Sequence, residues 1–278
     1  MGSKPQLALL PEKRSTIIVV GTSVRKPAAV LRHYLASIAL QELQSNIVLK
    51  PIFVAANLAP EAEAVLREWT TARDGEVVRG APAPVADFAD AGVDSHQWSG
   101  SAMQRVGAAK DRILARAREL NVDYVWFCDA DLICGPTTLK SMLAVGAPLV
   151  TAVYWTRWSQ RGTETRKVHA APQVWLRHPY ELAGRGYTEY EFRARLAARQ
   201  LTPVAGYGAC TLIGRRALEA GVAFAYVPGV PLQGLMAGED RHFCLRAQAL
   251  HLEAVAAPWP DIFHIYHLPA DLAKAHAL

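Results

Sequence analysis

The segment Val122 to Cys128 (VDYVWFC) is a short run of β-branched and aromatic residues that ends directly on Asp129-Ala130-Asp131. A run of this length and composition reads as a buried strand. Ser15 to Gly21 (STIIVVG) and Ile47 to Ala55 read the same way. Between those two strands Pro27 opens a helical pattern, with Val30, Leu31, Tyr34, Leu35 and Ile38 on one face. A further helix covers about Pro60 to Trp69, and a strong one runs from about Ser101 to Leu120. Strands that alternate with helices predict an α/β fold on a mostly parallel central sheet.

Gly80 to Gly100 lacks a periodic pattern and reads as a long loop, a feature that is usually functional or mobile inside a compact domain. After the Asp-Ala-Asp triplet, Pro136 begins a helix and Pro148 to Tyr154 forms a strand. Tyr154 to Val168 reads as an aromatic and basic loop, Glu189 to Arg199 as a helix, and Val204 to Gly214 as a Gly-rich strand. A helix starting near Gly238 and a strand near Asp261 to His267 complete the pattern. No internal repeat or clean linker interrupts it. The expectation is one domain over 1–278, with a first half of about 15–155 and a second of about 156–278.

With 278 residues, 51% of them hydrophobic, the chain can bury a substantial core. The net charge of +5 suits an anionic ligand or, at most, peripheral contact with an acidic membrane. The basic residues are scattered, densest from Arg157 to Lys167, which argues against nucleic acid as a partner. Cysteines 128, 134, 210 and 244 include no C-x-x-C pair, so zinc is not expected and a reduced, cytoplasmic setting fits best. No stretch approaches the roughly 20 apolar residues that span a bilayer.

Ligands of open α/β sheets bind outside the carboxyl ends of strands, which is where Asp129 and Asp131 fall. Strand alternation would put both carboxylates on one side, with Ala130 pointing away. Two hard oxygen donors suit Mg²⁺ or Mn²⁺, leaving positions for phosphate oxygens and water. The competing reading is a simple turn, because Asp favours turns and helix caps. Lys110 sits amid Val106, Ile113, Leu114 and Ala117 on the apolar face of the preceding helix. A lysine there must snorkel, pair internally or meet an anion such as a donor phosphate.

Glu239 and Asp240 open a helix whose Phe243, Ala247 and Leu250 share a face. Acids in a first turn complement the helix dipole; alternatively Asp240 is a general base and Glu239 an acceptor contact or cap. His264 and His267 lie in an apolar run and are either core residues or metal ligands, His264 before His267. Trp155 and Trp158 follow a strand beside the site and fit an acceptor-binding loop.

Taken together, these pieces resemble the GT-A glycosyltransferases, most closely the family-2-like members, over most of the chain. The motifs are IIVVGTSVRKP with Leu35 and Gln41 behind it, and VGAAKDRILARARELNVDYVWFCDADLICGP. Two more are Gly206 to Arg216 followed by Gly238-Glu239-Asp240, and Phe263-His264-Ile265-Tyr266-His267. The resemblance implies a Rossmann-like sheet with a smaller acceptor-side sheet. It also implies a nucleoside diphosphate sugar donor (UDP- or GDP-sugar), Mn²⁺ or Mg²⁺, and a small-molecule, glycan or lipid-linked acceptor. Asp131 would bind the metal, and Asp129 the metal, the ribose or the sugar, with Ala130 beside them. Thr22, Arg25 and Asn57 would lie near the base, Lys110 near the diphosphate, and Tyr207, Gly208 and Trp155 near the acceptor. The second strand ends in Ala55-Ala56-Asn57, where many relatives carry an acidic residue.

The expected activity is therefore metal-dependent transfer of a sugar to a hydroxyl, with Asp240 as base if the reaction inverts. The rival enzyme is a haloacid-dehalogenase-type phosphohydrolase, which also places D-x-D after a buried strand. That family wants Thr or Val shortly after the second Asp and the motif near the chain start; here Leu132 follows, mid-chain. A non-catalytic nucleotide- or carbohydrate-binding module is the third reading.

Overall fold

The computed structural model describes residues 14–82, 99–159, 168–176, 187–230 and 238–265. Strand β1 (Thr16–Val24) leads into helix α1 (Ala28–Ala39), then β2 (Ile47–Ala55), α2 (Pro60–Thr71), β3 (Glu76–Arg79) and α3 (Gly100–Glu119). Next come β4 (Tyr124–Cys128), β5 (Leu132–Cys134), α4 (Thr138–Val145) and β6 (Leu149–Ala152). The chain continues through β7 (Trp155–Ser159), β8 (Val168–Pro172), β9 (Val174–Trp175), α5 (Glu189–Ala197), β10 (Thr202–Pro203) and β11 (Gly206–Tyr207). It ends with β12 (Cys210–Gly214), α6 (Arg215–Glu219), α7 (Glu239–Ala249), β13 (Ala254–Ala257) and β14 (Ile262–His264).

Eight strands form one sheet in the order β10-β13-β6-β12-β4-β1-β2-β3. Its β4-β1-β2-β3 half is parallel throughout, and β6 pairs parallel with β13. Strand β12 runs antiparallel between β4 and β6, and β10 lies antiparallel on the edge. The expected mostly parallel α/β sheet flanked by helices is the fold observed. Three two-stranded sheets accompany it: β11-β9, β14-β5 and β7-β8.

Strict alternation builds the layers. Ile18 and Val20 of β1, with Trp126 and Cys128 of β4, pack with Leu31, Tyr34 and Leu35 of α1 on one face. Val19, Val125 and Phe127 pack on the other, with Ile113 and Leu114 of α3. Burying side chains of this size contributes about 1.5–3 kcal/mol each. Gly21 sets how close α3 lies: a Cβ there would meet Ile113 Cγ2 at 2.8 Å and the Ile52 carbonyl oxygen at 2.9 Å. At its start β4 is pinned by Asp123, whose carboxylate accepts the Ile17 N–H (2.9 Å) and pairs with Arg215 (2.9 Å).

Two expectations are corrected, and one strand is added. The Tyr154 to Val168 stretch is not simply a loop: residues on either side of 160–167 pair as β7 and β8, Trp155 opposite Pro172. The Gly-rich strand expected over Val204 to Gly214 is broken. Its start, β11, pairs with β9, while β12 alone enters the main sheet. Strand β13 (AVAA) was not anticipated, because its alanines carry little strand signal. Most of the loop from Gly80 to Gly100 lies outside the described residues. Among those described, no helix is long and apolar enough to cross a membrane.

Candidate functional site

The Asp-Ala-Asp triplet does not continue β4. The Leu132 N–H donates to the Asp129 carbonyl (2.9 Å), closing a turn. A turn, not strand alternation, therefore sets the two side chains, and it leaves Asp131 near enough to act on Asp129 while Ala130 points into the core. The backbone is held firmly. The Asp129 N–H donates to Ala209 (3.0 Å), Tyr34 Oη donates to the Cys128 carbonyl (3.0 Å), and the Ile265 N–H donates to the Asp131 carbonyl (2.9 Å). Ala130 is buried in the layer beneath α1, so only its main chain is left for a ligand.

Each acid meets different neighbours. Asp129 Oδ1 accepts from Thr22 Oγ1 at 3.2 Å and lies 4.0 Å from Lys110 Nζ. Burial raises the Asp129 pKa to about 6, with Asp131 and Glu239 adding to the rise and Lys110 opposing it. Asp131 Oδ2 lies 2.6 Å from Lys26 Nζ and 3.5 Å from His264 Nε2. The histidine arrives because β14 pairs with β5, setting His264 opposite Leu132. Its ring meets Tyr154 edge-on, centroids 5.7 Å apart. His267 lies outside the described residues.

Lys110 is only 4% exposed at its side chain. Its ammonium neither snorkels nor stays single: it donates to Glu239 Oε1 at 2.7 Å and lies 5.0 Å from the Phe224 ring centre. Burial pulls the Lys110 pKa down, but the Glu239 and Asp129 carboxylates outweigh it and hold the lysine above its usual value. The internal ion pair, one of the readings of Lys110, is therefore present, and it brings α3, α7 and the D-x-D turn to one point.

Gly238 starts α7 with φ +107°, a conformation side chains rarely adopt, and a Cβ there would collide with Asp240 Oδ1. That conformation sets Asp240 beside Gly208, where an added Cβ would lie 3.3 Å from Asp240 Oδ2 and 3.6 Å from Gln173 Oε1. Burial first, then Glu239, raises the Asp240 pKa to about 7. The dipole of α7 alone would lower it, so burial wins here. A carboxylate in that range can accept a proton near neutral pH.

The remaining expected residues divide. Thr22 lies near the end of β1, Arg25 stands on the β1-to-α1 turn, and Asn57 follows β2, exposed, with φ +52°. Trp155 is 49% exposed. Tyr207, expected near the acceptor, is 3% exposed with its ring edge-on to Phe243. Gln41 fixes the frame: its amide donates to Ser37 and Gly135 and accepts the Leu139 N–H.

Sequence reasoning missed Lys26, although it sits next to Arg25 in the same basic turn. It also missed Gln173 and the stacking of Arg241 on Trp175, 3.4 Å to the ring centre. No sequence spacing announced those. It likewise did not foresee that Cys128, Cys134 and Cys210 converge, with sulfur atoms within 4.8 Å of one another. Burial pushes the Cys128 thiol well up, while hydrogen bonds from Cys128 and Cys134 hold the Cys210 thiol well below its ordinary value.

Solved structures share this architecture at low identity. GalNAc-T7, solved with UDP, GalNAc and Mn²⁺, superposes over 96% of this chain and 48% of its own, with a TM-score of 0.51 and 11% identity. TarS of S. aureus covers 94% of this chain and 38% of its own (TM-score 0.49, 13% identity). The mannosyltransferase PcManGT from Pyrobaculum calidifontis, solved with GDP-Man and Mn²⁺, covers 92% and 59% (TM-score 0.48, 14% identity). This chain spans less than two thirds of the length of each. No family model and no curated protein sequence matches it. The likeness to GalNAc-T7 is one of fold, and it agrees with the GT-A class.

Proposed function

We propose that this chain is a glycosyltransferase that uses a nucleoside diphosphate sugar donor and a divalent cation, and transfers the sugar to a hydroxyl acceptor. The observation that carries this reading is the fixed turn at the end of β4. It presents Asp129 to Thr22 and Lys110, and Asp131 to Lys26 and His264. The fold likeness to GalNAc-T7 supports it.

The donor set fits a divalent cation. Asp129 and Asp131 supply hard oxygens, His264 a borderline nitrogen, and an ammonium already sits against Asp131 as a stand-in positive charge. Asp131, Asp129 and His264 would hold the ion, with His267 a further candidate. A bound Mn²⁺ or Mg²⁺ supplies Lewis acidity toward the departing diphosphate.

The chain's own groups do the rest. Thr22 keeps Asp129 oriented. Lys110, held charged by Glu239, adds a fixed positive charge where negative charge develops on the leaving group. Thr22, Arg25 and Asn57 line the approach for the nucleotide. Gly208 leaves room beside Asp240 for an acceptor hydroxyl, and Asp240, with its raised proton affinity, takes that hydroxyl's proton as oxygen attacks the anomeric carbon. Trp155 offers an exposed ring to the acceptor, and Glu239 borders it.

The test is a thermal-shift screen of UDP-, GDP- and dTDP-sugars with and without Mn²⁺, followed by donor hydrolysis with the best ligand. One donor is expected to raise the melting temperature only with metal, because binding to the native state stabilises it by mass action. Hydrolysis that survives Asp131→Ala unchanged overturns the reading.

A further inference from the structure

The carboxylates of the D-x-D turn each face an ammonium, but the two ammonium groups are held very differently. Lys110 is locked: 4% exposed, 2.7 Å from Glu239 and beneath Phe224. Lys26 lies on the turn between β1 and α1, its side chain 29% exposed, and its ammonium touches Asp131 Oδ2 at 2.6 Å. The same oxygen is 3.5 Å from His264 Nε2. It is therefore the oxygen that a cation bridging Asp131 and His264 would use.

We propose that Lys26 is the resident counter-ion of Asp131, which a divalent cation must displace, and that the released ammonium then pairs with the diphosphate of the nucleotide. This rests on the metal role proposed above and goes beyond it by coupling metal binding to nucleotide binding through one lysine.

The main chain that carries the carboxylate cannot make way: it is tied at the Asp131 carbonyl by Ile265 and at Asp129 by Ala209 and Leu132. The lysine can, because a half-buried ammonium on a four-carbon stem changes rotamer easily. A hard divalent cation takes a carboxylate oxygen at about 2.0–2.6 Å, and a second cation beside it is repelled. Without nucleotide, the displaced ammonium must return to water. With nucleotide, it gains a phosphate partner. Metal and nucleotide therefore strengthen one another's binding, and by linkage the effect is equal in both directions.

The experiment is titration of the purified chain with Mn²⁺, followed by calorimetry and by the spin-resonance signal of free Mn²⁺, with and without added UDP or GDP. Compared are the wild type, Lys26→Met, Lys26→Gln, Arg32→Met and Asp131→Asn, each first checked for a cooperative melt. Lys26→Met and Lys26→Gln are expected to bind Mn²⁺ about ten-fold tighter than wild type without nucleotide, and to lose most of the gain that nucleotide confers. Arg32→Met, which removes a charge paired with Glu61 rather than with the turn, is expected to stay within about two-fold. Asp131→Asn is expected to lose Mn²⁺ binding. If Asp131→Asn loses it while both Lys26 variants bind as wild type or weaker, the Lys26 inference is overturned and the metal role stands. If Asp131→Asn binds like wild type, the metal role fails and the Lys26 inference with it.

Discussion

Lys110 Nζ donates to Glu239 Oε1 at 2.7 Å across 129 positions of sequence, and this pair ties α3 to the first turn of α7. Because α7 also carries Asp240, the pair sets the distance between the D-x-D turn and the acid beside Gly208. A buried pair of this kind is more informative about geometry than about stability, since its two desolvation costs offset much of its attraction.

Breaking the pair on one side leaves a buried charge alone. Lys110→Met is expected to cost about 3–5 kcal/mol of unfolding free energy, read by denaturant titration. Lys110→Met combined with Glu239→Gln should recover part of that loss. Donor hydrolysis should stay low in both, because the positive charge beside Asp129 is gone in both. Recovery of activity together with stability would show that Lys110 only supports the fold.

Asp240 gives a pH prediction. A base must be unprotonated to act, and its pKa is raised to about 7. Transfer measured as kcat/KM is therefore expected to rise with pH through about 7 and level off above it. Asp240→Asn should lower transfer by about 10²–10⁴-fold and lack that rise. A fully retained ascending limb in the variant would assign it to another group.

The same shift has a stability consequence of opposite sense. The folded state holds this carboxyl above its unfolded value of about 4, so folding favours the protonated form. Wild-type stability is eroded as pH rises from about 4 towards about 7. In metal-free buffer, Asp240→Asn should be more stable than wild type at pH 8, with the difference vanishing near pH 4. Melting curves at both values check it.

Gly21→Ala tests the packing of β1 against α3. The added methyl would press on Ile113 and the Ile52 carbonyl, both under 3 Å away. A loss of about 1–3 kcal/mol is expected, as for other overpacked cores, and it is read by urea denaturation. A neutral result would mean the two elements separate freely.

Trp155→Ala tests the acceptor side. Its ring is half exposed, so stability should change by less than about 0.5 kcal/mol. The KM for acceptor should rise about 2- to 10-fold through loss of an aromatic contact, while donor hydrolysis is unchanged. Equal loss of hydrolysis and transfer would place Trp155 with the donor instead.

Local pattern alone specified much of the frame. The unbroken apolar runs Ile17 to Val20 and Val125 to Cys128 marked buried strands, and the helix containing Lys110 had one clear apolar stripe. From these, the order of strands and helices in the first half and the position of Asp129 and Asp131 at a strand end were legible. Short-range periodicity reports burial, and burial is what a central strand and its covering helices share. The break between β11 and β12 was not legible, because Gly208 and Ala209 look like strand interior until two different sheets claim their neighbours.

The amino-acid sequence by itself determined that two acids end a buried strand and that a lysine lies on the apolar face of the helix before it. Only the tertiary structure decided the partners. It matched Lys110 to Glu239, Lys26 and His264 to Asp131, Thr22 to Asp129, and packed Tyr207 against Phe243. The reason is that ion pairing and burial depend on distance in space, while pattern along a chain carries only the distance between neighbours.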